Sequence, residues 1–533
     1  MSLASSCGRR PAFSRLALPL LALALLVPPT TAQRVDTVLA VVGAMLIDGN
    51  GGAPVLDAVV VVTGRKITAV GRRADARIPK GARVIDAASQ YLVPGFIDTN
   101  VHLSLYSGLE SLARYEDRFT DIAIEGAQLQ LKYGITSVRD SYGMLQPLRE
   151  ARDRINRGEV PGARLYFAGN IVGWGGPWSY TFTGTRQESL SLFQEQMNDA
   201  IAAGGGEELM NMTPEQLRVA LNRYLDQGVD FVKYGGTSHA FLPAMLGFSE
   251  AAQRVIVEET HQRGKVPETH ATLPEGLRIA VEAGVDLVQH PEATDALIPP
   301  EVIRLMANRG VICSILENTI TGKPWVEFQK LLKSKTDSAA KADSTRKADS
   351  VKVATTGDSL RTWVDSTIAE LLLNRPTRAK TRAEVARDSA FQGMLFHRKN
   401  AEELIHAGCV VTVSTDNYRA SAPEFARVPR SEDQQPGIGS ILSIEGLVEL
   451  GMTPAQAIVA ATRNGALAMR MLDRLGTIEV GKIADLLLLG ADPLADIRNI
   501  RKLAMVVKDG RIVDVRRLPL KPVLYRPVAK PTP

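Results

Sequence analysis

The sequence predicts an α/β protein: a (β/α)8 TIM barrel joined to a small β-sandwich built from both chain ends. Three observations carry this. In the middle of the chain, eight short apolar runs alternate with longer helical patterns. On either side of that middle lie β-rich segments punctuated by Gly turns. The length of 533 residues with 45% apolar content exceeds one ordinary domain and suits a large barrel with a companion.

Residues 1–32 have the form of an export signal peptide. The basic stretch "GRRPAFSR" precedes the apolar run "LALPLLALALLV" at residues 16–27. Small residues follow at Thr30 and Ala32, so cleavage is expected before Gln33. A run of 12 is short for a membrane span, and an uncleaved anchor is the alternative. The Arg9-Arg10 pair raises twin-arginine export, but Phe13 stands one place off the usual spacing. The expected location is therefore periplasmic or extracellular. No later run is long and apolar enough to cross a membrane. Of the net charge of +5, three positive charges (Arg9, Arg10, Arg15) sit in this acid-free segment, leaving +2. That residue of charge argues against a nucleic-acid partner.

Residues 33–93 carry the runs "TVLAVVGAMLIDGNGG", "AVVVVTGRKITAVG" and "ARVIDAAS", which read as a small antiparallel unit. Residues 471–525 look alike, and Asp509-Gly510 between two apolar runs signals a two-residue hairpin. Neither segment has enough strands for a stable sheet alone. Residues 526–533 form a tail.

Residues 94–470 hold the barrel pattern. Its strand candidates are "YLVPGFIDT", "ITSVRD", "ARLYFAG", "VDFVKYG", "KVPETHA", "VDLVQH", "VICSIL" and "CVVTVSTD". The helix "TPEQLRVALNRYLDQG" opens with Thr213 as N-cap and Pro214 at its first position. Two connections are oversized. Residues 170–211 are rich in Gly and aromatics. Residues 317–380 contain the low-complexity stretch of about 330–365, where KADS occurs twice; a solvated helix or a disordered insertion is expected there. Cys7 leaves with the export segment. Cys313 and Cys409 lie in apolar strand-like runs and are expected to be buried thiols.

The chemistry gathers at strand ends. Asn100 and His102 follow the first strand. Lys233 ends the fourth, His270 the fifth, His290 the sixth and Asp416 the eighth. Each has a plain alternative: a satisfied rim histidine, a helix-capping Asp, a lysine in an ion pair. Three of only seven histidines ending strands on one face makes a shared site the better reading. Tyr234, beside Lys233, and His239 are candidate substrate contacts, with structural roles at least as natural. His261, His397 and His406 fall in helical patterns.

With "PGFID", "LKYGITSVRD" and the long "GMTPAQAIVAATRNGALAMRMLDRLGTIEVGKIADLLLL", this constellation resembles the amidohydrolase superfamily, more closely its imidazolonepropionase-like and prolidase-like secreted members. The resemblance spans nearly the whole chain after residue 32. It implies a metal-dependent hydrolase acting on carbon–nitrogen bonds. His102 would be the second histidine of a strand-one pair. Lys233 would bridge two metals after carbamylation, because an ammonium has no lone pair. His270 and His290 would hold the second metal. Asp416 would bind the first and move the proton. Zn²⁺ suits the mixed N and O donors, with Mn²⁺, Fe²⁺ or Co²⁺ as alternatives.

Asn100 departs from the pattern, which has His there. An amide oxygen is a weaker donor than imidazole. Three outcomes stay open: Asn100 coordinates through oxygen in a looser two-metal site; one metal binds at the Lys233–His270–His290 end; or the barrel is catalytically degenerate and binds a ligand or a partner. The leading expectation is hydrolysis of an amide in a small molecule, such as an N-acyl amino acid or dipeptide, with a cyclic amide or imidazolone as alternative substrate. A homo-oligomer is compatible with the sequence.

Overall fold

The computed structural model of the protein describes residues 38–105, 108–239, 245–344, 382–419, 422–426 and 430–525. These fall in one compact unit, Thr37–Pro533. Residues 1–32, where an export signal is expected, and the expected tail 526–533 lie outside the described residues. Of the low-complexity stretch, residues up to 344 end the helix Gly322–Ser344, and the rest lies outside.

The first strands are β1 (Val38–Leu46), β2 (Val55–Thr63), β3 (Lys66–Arg72), β4 (Arg83–Asp86) and β5 (Tyr91–Pro94). The next are β6 (Phe96–Leu105), β7 (Ile135–Asp140), β8 (Arg164–Phe167), β9 (Ile171–Val172), β10 (Val232–Gly235), β11 (Pro267–His270), β12 (Leu287–Gln289), β13 (Ile312–Ile315), β14 (Val410–Val413) and β15 (Asn417–Arg419). The last are β16 (Leu486–Leu489), β17 (Leu503–Lys508) and β18 (Arg511–Val513).

Both chain ends share one sheet, ordered β18-β17-β16-β5-β1-β2-β3, with β4 also paired to β1. The unit expected to be antiparallel is mixed: β1 runs antiparallel to β2 but parallel to β4 and β5. Alternate residues of β1 feed different apolar clusters. Leu39 and Val41 enter one; Ala40 and Val42 enter another. Both faces of the sheet are thus covered, which explains the unbroken valine run of β2. The β17–β18 hairpin turns at Asp509 (φ 51°) and Gly510 (φ 74°). Both residues are left-handed, as a type I′ turn requires.

The middle of the chain is a mixed α/β fold with parallel sheets. One has the order β14-β13-β12-β11-β10-β9; the other has β15-β6-β7-β8. Hydrogen bonds cross the gaps between them. Asp416 N donates to Asn100 O at 2.9 Å, and Asp230 N donates to Phe167 O at 2.9 Å. The expected first strand proves to be two elements. Gly95 separates β5, in the end sheet, from β6, and a Cβ at Gly95 would overlap the Thr136 side chain. Helices cover the outer faces. The helix Pro214–Leu225 begins with the Thr213–Gln216 capping box and sends Leu217 and Leu221 into the same core as Val232 and Val288.

Cys313 and Cys409 are not free thiols. They form a disulfide, with Cα atoms 6.2 Å apart. Cys313 on β13 faces Val411 of β14, and Cys409 lies two residues earlier in that neighbouring strand run. Parallel neighbours bring such a diagonal pair into bridging range, a proximity that separation by 96 residues concealed in the sequence.

Candidate active site

The residues singled out at strand ends come together in two groups. Asp416 is the centre of the first. Its Oδ1 lies 2.8 Å from His102 Nε2 and accepts from Asn100 Nδ2 at 3.0 Å. The other ring nitrogen of His102, Nδ1, lies 3.1 Å from the carbonyl oxygen of Tyr142. A carbonyl can only accept, so Nδ1 carries the hydrogen. In a neutral ring Nε2 then turns a lone pair towards a carboxylate, which is repulsive unless a positive charge stands there. Burial opposes a second proton on His102 and pulls its pKa down, against the raising influence of Asp416.

His270 and His290 form the second group. His270 Nδ1 lies 3.1 Å from His290 Nε2. Burial pushes both rings down, His270 well below the usual range and His290 to about 3, so both are neutral at pH 7. Lys233 is buried within β10. Desolvation lowers its ammonium pKa, while Asp416, Glu268 and Asp140 oppose that. Burial raises the Asp416 carboxyl, but its neighbours His102, His290 and Lys233 act in the opposite direction and hold it well below the carboxylate range.

Among the described residues, no group of three or more His, Cys, Asp or Glu is gathered as a ready cage. The donor chemistry nevertheless fits a divalent cation. Asn100 Oδ1, His270 Nε2 and His290 Nδ1 are buried without a hydrogen-bond partner, a costly state for polar atoms. Two neutral imidazoles, a carboxylate and an amide oxygen form a mixed N/O set. The lone-pair conflict between His102 and Asp416 is relieved by any cation between them.

Backbone geometry aims these groups. His290 (φ 38°) and Asp416 (φ 50°) both adopt left-handed backbone, uncommon for such residues and typical of functional sites. Along β11 the period of two sends Glu268 inward with His270. There Glu268 accepts from Gln289 Nε2 at 3.1 Å and pairs with the buried Arg139 guanidinium. That parity was available in "PETH" and could have found Glu268. Asp140 was also missed; it accepts from Leu103 N at 2.6 Å and is pushed up to about 8 by burial.

Tyr234 does not join the site. The alternation that points Lys233 inward points Tyr234 outward, where its Oη lies 3.0 Å from Gln253 Oε1 on the helix Glu250–Gln262. The expected substrate contact is replaced by core packing against Phe248. His239 does stand near the second group, with its ring 5.9 Å from that of His270.

The profile of the amidohydrolase family matches residues 91–513. The solved structure of molinate hydrolase superposes with a TM-score of 0.74 at 30% identity, covering 93% of this chain and 99% of that one. Phenylurea hydrolase B superposes with a TM-score of 0.73 at 28% identity, covering 92% and 99%. The ochratoxinase of Aspergillus niger is 25% identical over 475 residues, which are 85% of this chain and 81% of that protein. With a family match across most of its length, the chain belongs to the amidohydrolase family.

Proposed function

We propose that the protein is a metal-dependent hydrolase that cleaves a carbon–nitrogen bond in a small molecule, such as an N-acyl amino acid or dipeptide. The observation that carries this is the contact of His102 Nε2 with Asp416 Oδ1 at 2.8 Å, which needs a positive charge. A divalent metal, when bound, lowers the pKa of water towards roughly 7 and polarises a carbonyl oxygen. Asn100, His102 and Asp416 would hold it on one side, and Lys233, His270 and His290 on the other, one ion or two in all. Zinc suits these donors. Lowering of the Lys233 pKa by burial favours the neutral amine, the form that reacts with carbon dioxide, and so supports carbamylation of Lys233.

Asp416 is the proton carrier in this reading. It is held ionised and so accepts a proton from water and passes it to the leaving nitrogen. Asn100 Nδ2 fixes the carboxylate, and Tyr142 O fixes the His102 tautomer. The two parallel sheets are read as one (β/α)8 barrel; the hydrogen bonds across their gaps support this. The mixed end sheet is read as the companion β-sandwich. Export to the periplasm or medium is supported by the disulfide, a bond that persists in oxidising compartments.

The test combines metal analysis of protein made with ample bicarbonate and a panel of amide substrates. We expect at least one divalent metal per chain and turnover of some member. Well under one metal with no hydrolysis would sink the reading. Asp416→Asn should lower kcat by about 10²–10⁴-fold while leaving the chain folded.

A further inference from the structure

We infer that the substrate carries an aromatic ring beside its scissile carbon–nitrogen bond, seated against an arc of rings that spans the site. This rests on the reading of the site as a hydrolase of such bonds. The arc joins the two groups of site residues. It starts at His102, whose ring meets Tyr142 edge-on at 6.1 Å. Tyr142 lies 5.4 Å from Phe182. Phe182 stacks on His239 at 4.8 Å and leans on Trp174 at 5.6 Å. Trp174 closes the arc with an edge contact to His270 at 4.8 Å.

The arc is a built feature. Trp174 is buried, and its Nε1 donates to Thr237 O at 3.1 Å. Gly235 makes room for it, since a Cβ there would collide with the indole. Two of the connections that supply the rings, those after β9 and β10, are tied together: His239 N donates to Thr181 O at 3.0 Å, and His239 Nδ1 lies 3.2 Å from Phe182 O. Tyr142 and Trp174 form the buried back. Phe182, half-buried, and His239, exposed, form the front. The surroundings continue the pattern: Tyr180, Leu246 and Phe425, on connections leaving strand ends on the same side, are exposed. A wall of ring faces and edges favours an aromatic guest over a saturated one of the same size, because offset and edge-on ring pairs add attraction beyond area burial.

The experiment uses the metal-loaded protein and matched substrates: N-benzoylglycine against N-cyclohexanecarbonylglycine, and acetanilide against N-cyclohexylacetamide. We expect kcat/KM to favour the aromatic member by about threefold to tenfold in at least one pair. Phe182→Leu should erase that ratio, and Phe182→Tyr should keep it. Turnover with no aromatic preference in either pair overturns the inference and leaves the hydrolase reading intact. If none of the four is turned over, the hydrolase reading is left to its own metal analysis and amide panel, and calorimetry with benzoate and cyclohexanecarboxylate decides the inference. Tighter benzoate binding that Phe182→Leu abolishes upholds it; equal binding overturns it.

Discussion

At the scale of single residues, the question is what Asn100 does where a histidine is expected. Its Nδ2 is spent on Asp416, so its unpartnered Oδ1 is the atom left for a cation. Asn100→His adds an imidazole nitrogen and should tighten metal binding or raise its stoichiometry, read by metal analysis and chelator competition. Unchanged stoichiometry and affinity would count against Asn100 lying at the metal. Tyr234→Phe tests the opposite kind of residue. It removes one buried hydrogen bond to Gln253 and should cost about 1 kcal/mol of stability in denaturant unfolding. A loss of activity larger than that stability change would restore Tyr234 to the site. His102, Lys233, His270, His290 and Asp416 were legible as candidates because each lies at or just after the end of a strand-like run in the sequence. The left-handed backbone at His290 and Asp416 was not, since no local composition signals it there.

At the scale of elements, "ITSVRD" was legible as β7 to the residue, because the run is bounded by Gly134 and a loop. The β5–β6 division was not: "YLVPGFIDT" reads as one mostly apolar run, and Gly95, where a Cβ would overlap Thr136, parts it in the fold. The Asp509-Gly510 hairpin was legible from its turn residues. Gly510→Ala should destabilise by about 1–3 kcal/mol, since φ is positive and a Cβ would strike the backbone at Gly64; an unchanged Tm would refute this. The same turn anchors a charge cluster. Arg164 on β8 donates to Asp485 and Asp509 at 2.7 Å each, and Lys508 reaches Asp509 at 2.6 Å. Burial raises the Asp509 carboxyl, but Arg164 and Lys508 outweigh it and hold it well below the usual range. The folded chain therefore keeps Asp509 ionised to lower pH than the unfolded one. Its stabilisation is full above about pH 4 and is lost as pH falls below that. Thermal melts should show this acid loss shrinking in Asp509→Asn; an identical pH profile would remove Asp509 from the account.

At the scale of the whole molecule, two long-range links hold the chain together. One is the end sheet, where β5 and β16 pair Leu486 with Pro94 and bind the two ends of the α/β region. It was legible because neither end has enough strands alone. The other, the Cys313–Cys409 disulfide, was not legible, since two cysteines in apolar runs read equally as thiols until β13 and β14 are known to be neighbours. Both sulfurs are buried, so a reductant reaches them only when the strands part. Closing a loop with a separation of 96 residues restricts the unfolded chain strongly, and removal of such a bond costs about 2–4 kcal/mol. Cys313→Ser with Cys409→Ser should therefore lower the Tm, and wild-type protein unfolded in reductant should refold to the same lowered Tm until it is reoxidised. Protein collected from an oxidising compartment should show neither of these two cysteines free to a thiol reagent when unfolded without reductant. Two reactive thiols at these positions would remove the disulfide, and with it the structural support for export.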